Sequence, residues 1–173
     1  ADALVLATGF DAMTGALNKI EIRGKDGLRL RDKWVEGPRA YLGVASAGFP
    51  NLFIVTGPGS PSVLTNMVPT IEQHVDFIAD CIAHMRRHGM ARIEPDTAAE
   101  DAWVAYNDDV AHRTLRYDCA SWYLGSNIPG KKRVFMPFVA GLPAFIRKCE
   151  EVVAAGYEGF NFTPARQQQE TIG

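Results

Sequence analysis

A run that suits neither helix nor sheet ladder, Gly57-Pro58-Gly59-Ser60-Pro61-Ser62, separates a short apolar stretch from a long amphipathic one. This junction constrains the fold more than any other part of the chain. Leu52 to Thr56 reads as a buried-type strand that stops at the junction. Beyond it, Val68, Ile71, Val75, Ile78, Ile82 and Met85 alternate three and four positions apart, which places them on one face of a helix. Pro69 fits the first turn, where its missing N–H costs nothing. Asn66 or Thr65 supplies the N-cap, and His88-Gly89 closes the helix.

The remaining elements follow from local patterns. Ala3 to Ala7 reads as a buried strand running into a turn at Thr8-Gly9. Ile20–Ile22 and Leu28–Leu30 alternate around Gly24–Gly27 and predict a β-hairpin. A second helix begins at Thr97, with Thr97 and Glu100 in a capping-box pattern and Trp103, Tyr106 and Val110 on one side. A third covers roughly 143–155, with Phe145, Ile146, Cys149, Val152 and Val153 inward and Gly156 after its end. Between these two helices lies Ser121 to Lys131, rich in Gly, Asn and Pro and carrying Trp122 and Tyr123, a functional-loop candidate. The fold class is therefore α/β or α+β, a few strands followed by helices.

Composition narrows the function. A chain of 173 residues suffices for one ordinary domain with a core, and 47% hydrophobic with 22% charged residues is a soluble globular profile. A net charge of -2 gives no reason to expect a nucleic-acid or membrane surface. Cys81, Cys119 and Cys149 form no C-x-x-C pair, so free thiols and a reducing, cytoplasmic location are expected. The chain enters an apolar run almost at once, without a starting Met, which reads as a cut. A short polar tail, Arg166 to Glu170, ends it.

Three places carry chemistry. At Gly57 to Met67, small residues let a ligand approach, and the following helix aims its free N–H groups and positive dipole end at that point. The electron-rich edge of a reduced flavin would be stabilised there; a plain strand-to-helix turn has the same pattern. Ala7 to Asp11 sets a strand-end glycine beside an aromatic and a carboxylate, which suits a cofactor cover or a simple turn. Trp122 offers a flat face and one N–H donor on a loop, near Lys131, Lys132 and Arg133, which suit a phosphate; a surface loop with one buried aromatic fits equally. Ser60 and Ser62 do not form G-x-S-x-G, which removes a serine-hydrolase elbow, and Gly57–Ser62 lacks the lysine of a P-loop. His84 and His88 stand four apart, but near a helix end, where solvated histidines are commoner than metal ligands.

Several segments, in order along nearly the whole chain, resemble Baeyer–Villiger monooxygenases of the phenylacetone and cyclohexanone type. They are Ala7-Thr8-Gly9-Phe10-Asp11-Ala12-Met13-Thr14-Gly15, Gly48-Phe49-Pro50-Asn51-Leu52-Phe53, Gly57 to Ser62 through Asn66-Met67, and Ile71-Glu72-Gln73-His74-Val75. Ser121-Trp122-Tyr123 with Asn127 to Lys131, and Gly156 to Phe160, complete the set. The resemblance implies that residues 1–173 are the C-terminal portion of a flavoprotein with two dinucleotide-binding domains. They would comprise the end of its FAD-binding domain and a helical C-terminal region. It implies FAD and NADP as cofactors and a small-molecule ketone as substrate, oxidised to an ester or lactone with O2 through a flavin C4a-peroxide. Ser62, Val63, Leu64 and Met67 would line the ketone pocket, and Asn66 and Met67 would face the flavin edge. Trp122 would close over the nicotinamide nucleotide, and Gly9 and Asp11 would lie where the NADP domain returns to the FAD domain. The family's two G-x-G-x-x-G fingerprints and its peroxide-steadying arginine do not occur in this sequence. The missing N-terminal part is thus an expected partner, and this segment alone is expected to bind neither nucleotide tightly and to be inactive. The readings kept beside this one are a catalytically inactive fragment and a related flavin monooxygenase acting on sulfur or nitrogen.

Overall fold

A computed structural model describes residues 3–4, 11–62 and 65–165. Among them are five α-helices and two strands: α1 (Gly15–Lys19), α2 (Leu30–Lys33), α3 (Met67–Arg87), β1 (Met90–Pro95), α4 (Thr97–His112), α5 (Leu142–Ala154) and β2 (Phe160–Pro164). The mixed helix-and-strand class stands, but the expected strands are not the observed ones. β1 and β2 pair antiparallel, Ile93 against Phe162, and neither was anticipated from the sequence. The strand expected at Ala3–Ala7 and its turn at Thr8-Gly9 lie largely outside the described residues, as do Val63, Leu64 and the polar tail.

Two expected β elements are corrected. Leu52 to Thr56 forms no ladder: Asn51 and Thr56 bracket it with φ of 59° and 54°, and such backbone cannot continue a pleat. Its amides go instead to a buried turn, Ile54 N–H to Val44 O at 2.8 Å and Gly57 N–H to Gly43 O at 3.1 Å. The expected hairpin shrinks to one bridge, Arg23 opposite Arg29, because a 3-10 turn fills Lys25–Gly27 and α2 begins at Leu30. Asn51 extends the small sheet instead. Its side chain accepts from Ile93 N and donates to Ala91 O, and its own amide donates to Ile93 O.

The helices follow the sequence more closely. Asn66 caps α3, accepting from Val68 N–H at 3.1 Å, and Gly89 follows the helix at φ 65°. The buried face is nevertheless Thr70, His74, Phe77, Cys81 and Met85. Val68, Ile71 and Val75, on the adjoining apolar stripe, are 59%, 39% and 49% exposed. α4 is capped by Asp96, whose Oδ2 accepts from Ala98 N and Ala99 N. Glu100 therefore takes no part in a capping box; it is buried, and so are Trp103, Asn107 and Ala111, while Tyr106 is exposed. α5 buries Phe145, Cys149 and Val152, but Val153 is exposed.

The main core gathers Leu42, Phe77, Trp103, Phe138, Phe145 and Val152 between α3, α4, α5 and the sheet. A smaller cluster of Leu30, Trp34, Phe49 and Ile54 lies under α2. Cys81 and Cys149 are buried free thiols, pushed up to about 12 by burial, and Cys119 is an exposed free thiol.

Candidate functional site

The Gly57–Ser62 segment is seated by close backbone approach. Gly43, at φ 65°, lies under it, and a Cβ there would sit 2.6 Å from the Ser60 Cβ, so only glycine lets the two turns meet. Ser60 and Ser62 are buried at the junction. The Ser60 hydroxyl donates to Gly57 O at 2.6 Å, whereas Ser62 Oγ has no partner among the described residues. Thr65 N–H donates to Ser62 O, Asn66 caps α3, and Pro69 brings no N–H, which leaves the half-buried Met67 at the mouth of the helix.

His74 supports this junction from below. Its Nδ1 accepts from Thr56 N–H at 2.9 Å, so the ring proton sits on Nε2, which is buried and without a partner among the described residues. Burial lowers its pKa to about 4, so the ring is neutral at ordinary pH. No spacing rule marks a lone histidine on an amphipathic helix as a backbone acceptor, and sequence reasoning assigned it no role.

Trp122 opens a 3-10 turn, Trp122–Leu124, capped by Ser121 Oγ, which accepts from Tyr123 N–H at 3.0 Å. Gly125 ends the turn at φ 68° and donates to Trp122 O at 3.0 Å. The Trp122 ring is half-buried against Tyr123, with centroids 4.2 Å apart, and its indole N–H bonds to none of the described residues.

An extended segment, 134–138, ties the Trp122 turn to the junction. Val134 N–H and Met136 N–H donate to Leu124 O and Tyr123 O on one side. On the other, Gly59 N–H donates to Met136 O at 2.8 Å and Phe138 N–H to Ser60 O at 2.9 Å. The Trp103 indole holds Gly59 O at 3.0 Å. Asp11 joins the same assembly through Lys131, whose Nζ lies 2.6 Å from Asp11 Oδ1 and 2.7 Å from Thr14 Oγ1. Burial pushes the Asp11 carboxyl up, but the hydrogen bonds from Lys131 and Thr14 outweigh it and hold it below its usual range. Of the three cations expected to suit a phosphate, Lys131 is thus paired with Asp11, and Lys132 reaches Glu36 at 3.2 Å. Gly9, Val63 and Leu64 lie outside the described residues, whereas Asp11, Ser62, Asn66, Met67 and Trp122 belong to connected segments. A groove of about 580 Å³ between α4 and α5, along Tyr41, Trp103, Tyr106 and Arg147, holds none of these residues.

The residue that sequence reasoning misread is Glu100. It is 1% exposed, bound by Lys33 Nζ at 2.7 and 2.9 Å, by Ser46 Oγ at 3.0 Å and by Ala47 N–H at 2.8 Å. Arg39 stands 3.8 Å away. Its partners are more than fifty positions distant, so nothing in its own neighbourhood announces the site.

No protein-family model matches the chain. It is 42% identical over 160 residues to the acetone monooxygenase (methyl acetate-forming) of Gordonia sp. (strain TY-5), covering 92% of this chain and 30% of that protein. Its folded form superposes on a closed crystal structure of cyclohexanone monooxygenase with a TM-score of 0.88 and 44% identity, over 92% of this chain and 30% of that one. The chain is a relative of the C-terminal part of Baeyer–Villiger monooxygenases. An oxidized steroid monooxygenase bound to NADP aligns with a TM-score of 0.84 and 46% identity, over 91% of this chain and 29% of that one. The chain spans about 30% of the length of the curated relatives it matches. The positive dipole end of α3 at Met67 suits the electron-rich edge of a flavin ring. The phosphates of a dinucleotide would need the glycine fingerprints that this sequence lacks. Among the described residues no helix is long and apolar enough to cross a membrane.

Proposed function

We propose that this chain forms the substrate- and cofactor-facing C-terminal part of a longer, cytoplasmic flavoprotein that oxidises a small-molecule ketone. Ketone, O2, NADPH and a proton would give an ester or lactone, NADP+ and water. The observation that carries the reading is the hydrogen-bonded joining of the Gly57–Ser62 junction, the Trp122 turn and Asp11 through segments 134–138 and Lys131. It occurs in a chain 42% identical to a ketone-oxidising enzyme.

Bound FAD would supply oxygen activation, and NADP(H) the reducing equivalents. Asn66 and Met67 would present the α3 terminus to the flavin edge, where the positive end of the helix dipole favours developing negative charge. Ser62, Val63, Leu64 and Met67 would shape the apolar pocket for the ketone and exclude water. Trp122 would lay its indole over the nicotinamide nucleotide, and Gly9 and Asp11 would sit where the chain enters this unit.

The complete protein carrying this chain should show a bound-flavin absorption spectrum. It should oxidise NADPH in step with ketone consumption and form an ester or lactone. A colourless complete protein, or ketone left unchanged while NADPH is consumed, overturns the reading. One relative, 41% identical, is a phenazine N-monooxygenase of Lysobacter antibioticus, so an aromatic N-heterocycle belongs in the same assay. N-oxide formation without ester would move the assignment to nitrogen oxygenation.

A further inference from the structure

We propose that Lys131, Asp11 and Thr14 form a latch that fixes the Trp122 turn in its nucleotide-facing position, so that Lys131 and Asp11 are positioning residues. The inference rests on the reading of Trp122 as a nucleotide contact.

The latch joins parts of the chain 120 positions apart. Lys131 Nζ donates to Asp11 Oδ1 at 2.6 Å and to Thr14 Oγ1 at 2.7 Å. The Thr14 hydroxyl donates onward to Asp11 at 3.0 and 3.2 Å, closing a three-membered network. Thr14 is buried, and the Lys131 and Asp11 side chains are only 17% and 23% exposed, so solvent screens this pair less than the open Lys132–Glu36 pair.

The other end of Lys131 clamps the turn. A Cβ on Gly125 would lie 2.9 Å from Lys131 Cδ, so the lysine stem packs directly on the glycine that closes the Trp122 turn. Segment 134–138 and the cluster of Leu124, Phe135 and Ala111 hold one side of the turn, and the Lys131 network supplies its tie to residues 11–14. A groove of about 290 Å³ runs beside the latch, bordered by Trp34, Ile128 and Pro129, so the loop is not simply packed into the core.

An alternative role for Lys131 is a direct phosphate contact, and the two roles differ in what Asp11 does. If Lys131 met the phosphate itself, removing the competing carboxylate would leave NADPH binding unchanged or improved. In a latch, Asp11→Asn weakens it as Lys131→Met does.

The test uses the complete flavoprotein. Lys131→Met and Asp11→Asn should each raise the KM for NADPH about tenfold, the loss of one charge-assisted contact, with flavin content and kcat at saturating NADPH within about twofold of wild type. The exchanged pair, Asp11→Lys with Lys131→Asp, should recover most of that loss. Chymotryptic cleavage after Trp122 and Tyr123, followed without any nucleotide, should accelerate in both single variants. Unchanged cleavage in both variants overturns the latch whatever the kinetics. A KM raised by Lys131→Met but not by Asp11→Asn overturns it in favour of direct phosphate binding. Failure of the parent reading looks different: wild type would then neither oxidise NADPH nor respond to it, while the cleavage pattern still reports on the latch.

Discussion

Glu100 and His74 show how single polar side chains hold non-helical backbone in a core. Glu100 neutralises Lys33 and binds Ser46 and the Ala47 amide in a nearly closed site. Removing one partner of a buried ion pair leaves the other charge uncompensated, so Glu100→Ala is expected to cost about 3–5 kcal/mol. Glu100→Gln, which keeps acceptors for Ser46 and Ala47, should cost less. Thermal denaturation of the complete protein reads both, and a loss below about 1 kcal/mol for the alanine variant would show the site to be dispensable. His74 predicts an acid dependence. Its folded pKa of about 4 lies below an unfolded value near 6.5, so the unfolded chain takes up the proton first. Stability from this group is therefore intact above about pH 6.5 and falls as pH drops toward 4. By pH 5 the loss is ~2 kcal/mol, from about 1.5 pH units at 1.36 kcal/mol each. His74→Gln should remove that share of the fall between pH 7 and pH 5, which paired melts at the two pH values measure.

At the scale of elements, α3 carries two apolar stripes: the described structure buries one, and of the other it covers the C-terminal half, where Ile78 packs on the core and Met85 is buried. Phe77, Cys81 and Met85 meet the core, while Val68, Ile71 and Val75 remain open to solvent. Periodicity located an apolar face, but it could not rank two adjacent faces of one helix, because burial depends on what packs there. An exposed stripe on a helix of this length suits a surface covered within a larger protein. The 173-residue chain on its own is therefore expected to bind an apolar dye and to self-associate. Ile71→Glu with Val75→Glu should reduce both, read by dye fluorescence and light scattering. The same pair in the complete protein should lower the yield of flavin-bound material. A dye signal unchanged by the double substitution would place the sticky surface elsewhere. The capping of α4 teaches a related lesson. Asp96, one residue ahead of the expected Thr97, supplies the acceptor, and this frees Glu100 for the core.

Across the whole molecule, the Trp122 turn and the Gly57–Ser62 junction meet through backbone, whereas Asp11 joins them through the Lys131 side chain. Met136 bridges Tyr123 and Gly59, and Phe138 reaches Ser60, so the Trp122 turn and the Gly57–Ser62 junction are hydrogen-bonded to one common segment. The sequence by itself determined the three long helices, a cap for α3 at Thr65 or Asn66, the glycine stop at Gly89 and the family resemblance, since these rest on local periodicity, capping chemistry and contiguous motifs. It did not determine the sheet. β1 and β2 lie some seventy positions apart and carry no alternation clear enough to read, and the Leu52–Thr56 run, which did read as strand, is bent out of any ladder at Asn51 and Thr56. Nor could it pair Lys131 with Asp11 or Glu100 with Lys33. Only the tertiary structure decided those, because an ion pair between distant residues depends on where the intervening chain returns, and no local pattern of charge encodes that path.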